Sequence, residues 1–325
     1  RTSDLRVMSP TSYRCSTSHC KSNLLRHCSK IYIFNSQSLQ HIMKHFMVPL
    51  LIFAVCTSAC KSKVKERTDD IYSRHLQQHI KLNIISTPPP DRKSDMNLLL
   101  LNDGQDMDKL RVKSIMDSLY KKGLLQPLLV VGIEPVDRMQ EYGVAGFPDY
   151  KNNGGRADKY AAFIDDELYA FVKKKASVRK FNTVVLAGFS LGGLSAFDIA
   201  WDHADKIDKV GIFSGSFWWR DVDAGDSSYS DEKNRIMISK IRSSRKKPHL
   251  QYWFYAGNKE ETGDRDKDGI IDVVDDTKDL INLVKSKNVC SPGDIVYTED
   301  PNGIHDFSSW SHWFGNFLLW AFSKK

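Results

Sequence analysis

The 325-residue sequence predicts an α/β architecture: a mostly parallel central sheet with helices on both faces, in one domain over residues 76–325 with no large lid. Three observations lead there. Short apolar runs rich in Val, Ile and Leu, the mark of strands buried on both faces, alternate with segments whose apolar residues recur at helical spacing. At residues 184–193, VVLAGFSLGG, one such run passes through a glycine-rich bend straight into a helical period. Finally, 41% hydrophobic residues over this length can fill one complete core, and no internal repeat divides it.

Residues 1–42 do not begin with Met, keep no period and scatter Cys15, Cys20 and Cys28 among Ser, Thr and Arg. They are expected to be upstream sequence read in frame, or a disordered basic tail. Residues 43–60 then open with Met43-Lys44-His45, continue with an apolar run over 46–55 and end on Thr57-Ser58-Ala59-Cys60. A run of about ten residues is too short to span a bilayer and fits the apolar segment of a secretory signal. The ending resembles a bacterial lipoprotein signal, which implies lipidation of Cys60, an anchor in the membrane and residence in the cell envelope, as a periplasmic or outer-membrane lipoprotein. An ordinary signal cut nearby is the alternative.

Residues 61–75 are polar and charged, and read as a tether. Alternating Ile80, Leu82 and Ile84 predict an edge strand, ended by Pro88-Pro89-Pro90. Buried strands follow over 97–101 and 128–133, with a helix over 110–119 between them. Residues 142–155, rich in Gly, Tyr, Asp and Asn, read as a loop over one end of the sheet. A helix over 157–175 carries Tyr160, Phe163, Ile164, Leu168 and Phe171 at helical spacing. After the bend at 190, strands are expected over 210–213, 251–255 and 295–297. Helical stretches near 233–242 and 277–287 separate them, and an aromatic helix over 307–322 comes last.

The net charge of +7 is unevenly spread: residues 1–42 carry +5 and Lys44 one more, leaving +1 for residues 61–325. The folded body therefore has no electrostatic case for nucleic acid. If Cys60 becomes a lipidated N-terminus, Cys290 is the one remaining thiol, so the core rather than a disulfide must stabilise the domain.

The bend itself carries chemistry. Gly188, Ser190 and Gly192 form Gly-x-Ser-x-Gly between strand and helix, a nucleophile elbow that lifts the Ser190 hydroxyl clear of the sheet. The Leu191 N–H, at the helix start, then faces whatever Ser190 attacks. A serine needs a base, and the base needs an acid to orient it. His203, His249 and His312 fall on predicted helices or before a strand, whereas His305 lies in the loop after the last strand. The acid is expected after the strand over 251–255, where Glu260 and Glu261 stand side by side; composition does not separate them. In Asp103-Gly104-Gln105 the glycine permits close backbone approach, which makes the Gln105 N–H the candidate second donor to an oxyanion. No cofactor is needed for such chemistry.

Beside the acid, Asp264, Asp266, Asp268, Gly269, Asp272 and Asp275 occupy positions 1, 3, 5, 6, 9 and 12 of a calcium loop, with the Ile270 carbonyl at position 7. The expectation is one structural Ca²⁺ that pins the segment carrying Glu260, with Arg265 and Lys267 pointing away.

Together these pieces resemble the esterase D and enterochelin-esterase-like branch of the α/β hydrolases. The matching residues are Leu101 to Asp106, YAAFIDDEL over 160–168, Gly188 to Gly193, Ser214 to Trp219, the Gly-x-x-acid over 257–260, and Gly303 to His305. The resemblance implies the α/β-hydrolase fold and hydrolysis of carboxylic esters, such as acyl or feruloyl esters on plant polysaccharide, or siderophore esters. It also implies Glu260 as the acid, with Glu261 in reserve. Similarity to the mycolyltransferases around Asp-Gly-x supports Gln105. Trp218 and Trp219 either line an acyl pocket or fill the core. An acyltransferase using the same residues is the alternative activity; a peptidase or a non-catalytic binding protein is less favoured.

Overall fold

The computed structural model describes residues 64–91 and 95–324. The segments 1–42 and 43–60, with Cys60, lie outside the described residues. Among the described residues eight strands form one sheet: β1 (Lys65–Ser73), β2 (Gln78–Ser86), β3 (Asn97–Asn102), β4 (Leu128–Ile133), β5 (Val184–Phe189), β6 (Lys209–Phe213), β7 (Gln251–Gly257) and β8 (Ile295–Asp300). Their order across the sheet is β1-β2-β4-β3-β5-β6-β7-β8. From β4 to β8 neighbours are parallel, while β2 pairs antiparallel with both β1 and β4.

The parallel strands bury both faces, which is why they read as unbroken apolar runs. Along β3, Leu98 and Leu100 enter one core cluster while Leu99 and Leu101 enter the other. This is the two-residue alternation of a pleated strand. The helices are α1 (Val112–Lys121), α2 (Arg138–Glu141), α3 (Ala157–Ala162), α4 (Tyr169–Lys175), α5 (Leu191–Asp202), α6 (Asp231–Asn234), α7 (Ile236–Ser243), α8 (Asp272–Ser286) and α9 (Phe307–Phe322). A π-helical turn over Phe163–Leu168 joins α3 to α4, so the predicted helix over 157–175 is continuous. Helices α1 and α9 cover one face of the sheet; α3, α4, α5, α7 and α8 pack on the other. Burial of Phe314, Phe317 and Leu318, each stabilising by about 2 kcal/mol, makes α9 part of the core.

The predicted tether over 61–75 requires correction, because most of it is β1. The strand hid because it lies at the sheet edge, with Asp69, Ile71 and Ser73 on its covered side and the mostly charged remainder exposed. Charge on an edge strand discourages pairing with a second chain. The strand from Gln78 is consequently an interior strand, not the predicted edge.

Candidate active site

Only Ser190 separates β5 from α5, so one residue must turn the chain. It does so with φ 53° and ψ −124°, a sparsely populated conformation that costs about 1–3 kcal/mol. Neighbours hold it there. The Ser190 N–H donates to Phe213 O at 2.8 Å, and its carbonyl accepts from Gly193, Leu194 and Ser216. A Cβ at Gly188 would lie 2.2 Å from Gly192 O, and one at Gly192 would lie 2.7 Å from Asp103 Oδ2. The bend thus excludes side chains at both glycines.

The loops after β7 and β8 bring the acid and the histidine together. A Cβ at Gly257 would meet Gly303 at 2.5 Å, and Lys259 N–H donates to Gly303 O at 2.9 Å, so the two loops interlock. His305 Nδ1 lies 2.7 Å from Glu260 Oε2. The other oxygen, Glu260 Oε1, accepts from the Gly257 N–H and the Ser214 hydroxyl, both at 2.6 Å. Trp310 Nε1, on α9, donates in turn to Ser214 Oγ at 2.9 Å. The Glu260 side chain is 1% exposed, whereas His305 is 38% exposed. Glu261 turns away to accept from the Val273 N–H, and burial pushes its carboxyl above the usual range.

Ser190, Ser214, Trp218, Glu260, Glu261, Val273 and His305 line one cleft of about 270 Å³. Ser190 Oγ lies 3.3 Å from Ser216 Oγ, its hydrogen-bond partner in this state. Catalytic hydrogen bonds are often completed only when substrate binds. Trp218 lines the cleft at 37% exposure; Trp219 does not, being 1% exposed in the core against Gly143 and Gly154. That corrects the pairing of the two tryptophans as pocket residues: their ring centroids lie 6.2 Å apart, but Trp219 is packed into the core and Trp218 alone faces the cleft.

Neither the Gln105 N–H nor the Leu191 N–H has an acceptor among the described residues. The loop bearing Gln105 is fixed to the elbow. Asn102 Nδ2 donates to Gly192 O at 2.8 Å, and a Cβ at Gly104 would sit 2.4 Å from Gly132, so the turn lies flat on β4. Asp103, at φ 60°, is clamped by both branches of Arg138, Nε to Oδ1 at 2.7 Å and Nη2 to Oδ2 at 2.9 Å. Arg138 Nη2 also reaches Phe189 O at 3.4 Å, and the Asp103 N–H donates to the Tyr142 hydroxyl. Burial, then the Asp103 charge, pushes the Tyr142 phenol well above its ordinary range, so it stays neutral. Arg138, Tyr142, Ser214 and Trp310 were not legible in the sequence, since no local motif marks a partner tens of residues away.

In the acidic loop, carboxylate oxygens of Asp264, Asp266 and Asp268 lie within 4.8 Å of one another. Gly269 makes the bend at φ 92°. Arg265 does not point away as expected. It turns inward, donating its N–H to Asp272 Oδ1 and placing Nη1 3.0 Å from Asp272 Oδ2, with further ion pairs to Asp231 and Asp276. Asp272 is therefore held by Arg265, and the three leading carboxylates are the donor set that fits a hard cation.

Residues 73–320 match the family model described as "Putative esterase". In sequence the chain is similar to the uncharacterized protein YbbA of Bacillus subtilis (strain 168), 21% identical over 244 residues, which cover 73% of this chain and 90% of YbbA. In structure it is similar to the enterobactin esterase FES from Shigella flexneri, with a TM-score of 0.60 and 19% identity over 78% of this chain; it spans only 58% of FES. An IroE-like serine hydrolase from Shewanella oneidensis aligns with a TM-score of 0.59 and 18% identity over 78% of this chain and 79% of that one. The sheet order, the elbow and the family match agree: this chain belongs to the "Putative esterase" family and has the α/β-hydrolase fold.

Proposed function

We propose that Ser190, His305 and Glu260 act as a triad that cleaves carboxylic esters through an acyl-enzyme. The Ser190 oxygen attacks the ester carbonyl while His305 Nε2 takes its proton. His305 then returns that proton to the departing alkoxide, and water, deprotonated by the same imidazole, releases the acid. The Gln105 and Leu191 N–H groups stabilise the negative oxygen of each tetrahedral intermediate. The observation that carries this is the 2.7 Å His305–Glu260 bond inside the cleft that also holds Ser190. Because Glu260 accepts at Nδ1, Nε2 is left free to accept the serine proton. Ser190→Ala is expected to abolish hydrolysis of p-nitrophenyl acetate and the acyl-enzyme burst; activity retained in that variant overturns the assignment.

The cleft is small and, among the described residues, uncovered by a lid, which suits short-acyl, feruloyl or siderophore esters in water, or esters on carbohydrate, better than triglyceride. The name of FES supports the siderophore option for that protein, and a panel of acetyl, feruloyl and siderophore esters would choose among them. The exposure of His305 gives water a path to the acyl-enzyme, which favours hydrolysis over transfer to another acceptor.

Two further proposals rest on sequence pattern. Asp264, Asp266, Asp268 and the Ile270 carbonyl are proposed to hold a structural Ca²⁺, tested by calorimetric titration of the purified domain; absence of binding up to millimolar Ca²⁺ refutes it. Residues 43–60 are proposed to direct export, with Cys60 lipidated and the domain tethered at the envelope. Mass spectrometry of the membrane fraction would detect the acylated cysteine. Among the described residues no helix is long and apolar enough to cross a membrane.

A further inference from the structure

We propose that Arg220 forms an anion-recognition subsite at the Trp218 side of the cleft that holds the nucleophile, selecting ester substrates that carry a carboxylate. The proposal rests on the esterase reading of the cleft. Arg220 follows Trp218, whose ring lines that cleft, by two residues. Its guanidinium carbon lies 5.9 Å from the Trp218 ring centroid, 5.7 Å from that of Tyr150 and 5.9 Å from that of Tyr229. Three aromatic faces from separate stretches of chain therefore converge on one cation.

The setting is rigid. Tyr150 N–H donates to Arg220 O at 3.1 Å, and Arg220 pairs with Arg235 in an isolated bridge that ties this turn to the start of α7. The rings provide attraction by their quadrupoles, but they accept no strong hydrogen bond.

Among the described arginines that are not exposed, Arg220 alone has no carboxylate counter-ion. Arg138, Arg235 and Arg265 are each held by carboxylates at 3.3 Å or less. For Arg220, among the described residues, no carboxylate lies within 4.0 Å and no side-chain nitrogen has an acceptor; Nε is buried and unsatisfied. Asp223 is close enough to feel the charge, but its Oδ1 accepts from the Gly225 N–H at 2.8 Å and forms no ion pair with Arg220. Lys151 Nζ, 5.2 Å from the Tyr150 centroid, is a second cation over that ring. Leaving a charged donor buried without a partner is costly, and a planar carboxylate is the acceptor whose geometry the guanidinium fork matches. Flat aromatic walls on three sides favour a planar group further. A substrate with its carbonyl at Ser190 and its body along Trp218 would present such a group to Arg220.

The test compares charged and neutral esters in matched pairs. In the acyl arm, the mono-4-nitrophenyl ester of adipic acid is set against its methyl-capped diester, read by nitrophenolate release. In the alcohol arm, 4-acetoxybenzoate is set against its methyl ester, read by acetate release. The readout is the ratio of kcat/KM for charged over neutral ester. In Arg220→Gln this ratio should fall at least tenfold relative to wild type in one arm, which also tells whether the carboxylate belongs to the acid or the alcohol. Arg220→Lys should recover part of the loss. An unchanged ratio in both arms overturns the proposal, even where Ser190-dependent hydrolysis of the neutral esters upholds the esterase assignment. If Arg220→Gln does not fold, the wild-type protein serves: benzoate or adipate should inhibit neutral-ester hydrolysis competitively, and no inhibition up to tens of millimolar overturns the proposal.

Discussion

Replacing Glu260 by Gln separates the role of its charge from its shape. The amide oxygen can still accept from the Gly257 N–H and the Ser214 hydroxyl, the two bonds that position the side chain. The amide nitrogen must then face His305 Nδ1. The opposite rotamer would set that nitrogen against the Gly257 N–H, donor against donor. With a donor opposite Nδ1, the imidazole proton is driven to Nε2, the nitrogen that must receive the serine proton, and no carboxylate remains to stabilise the imidazolium. The expected loss is about 10³–10⁴ in kcat, or about 4–5.5 kcal/mol of transition-state stabilisation. Steady-state hydrolysis of p-nitrophenyl acetate by folded Glu260→Gln measures it, with Glu261→Gln alongside. Glu261 accepts from Val273 N–H and not from the imidazole, so its variant should lose less than tenfold. Retention of more than a tenth of the activity in Glu260→Gln, or an equal loss in Glu261→Gln, would refute the assignment.

Arg138→Gln leaves the Asp103 carboxylate, 4% exposed, without its cation; because the Arg138 side chain is 36% exposed, the cost falls below the about 3–5 kcal/mol of breaking a fully buried pair. A drop in the melting midpoint and a 10- to 100-fold fall in kcat with KM little altered are expected, since Arg138 braces the loop bearing the Gln105 donor against β5. Asp275 provides a pH-dependent test. Burial first, then the charges of Asp279, Asp266, Asp276 and Asp268, pushes its carboxyl up to about 6 from 3.8. Its contribution to stability is thus full below about pH 4 and lost as pH rises through 6. In EDTA at pH 7, Asp275→Asn should raise the midpoint by about 2–4 °C, corresponding to about 1 kcal/mol after solvent screening, and the gain should vanish near pH 4. Thermal melts across that range check both the size and the sign.

The sheet core was legible because strands buried on both faces must be apolar at every position, as Leu98 to Leu101 and Val184 to Leu186 are. Ser190 was legible because its bend tolerates no Cβ on either side. Position along the chain singled out His305, but nothing local distinguishes Glu260 from Glu261; they differ in which way a side chain points, and the interlocked loops at Gly257 and Gly303 decide that. Strand β1 escaped notice because an edge needs no apolar period. Arg265 was misplaced because loop spacing says nothing of Asp231 or Asp276, which draw it inward. Arg138 and Trp310 act on groups 35 and 96 residues away, beyond any local pattern.

The indole of Trp310 ties the reactive groups to completion of the fold. A chain clipped after residue 306 would still carry Ser190, Glu260 and His305, yet it would lack the strut that holds Ser214 against the glutamate, along with much of one layer of the core. Hydrolytic competence then depends on α9 being docked. An unfinished or nicked molecule would be disarmed with every reacting atom still in place.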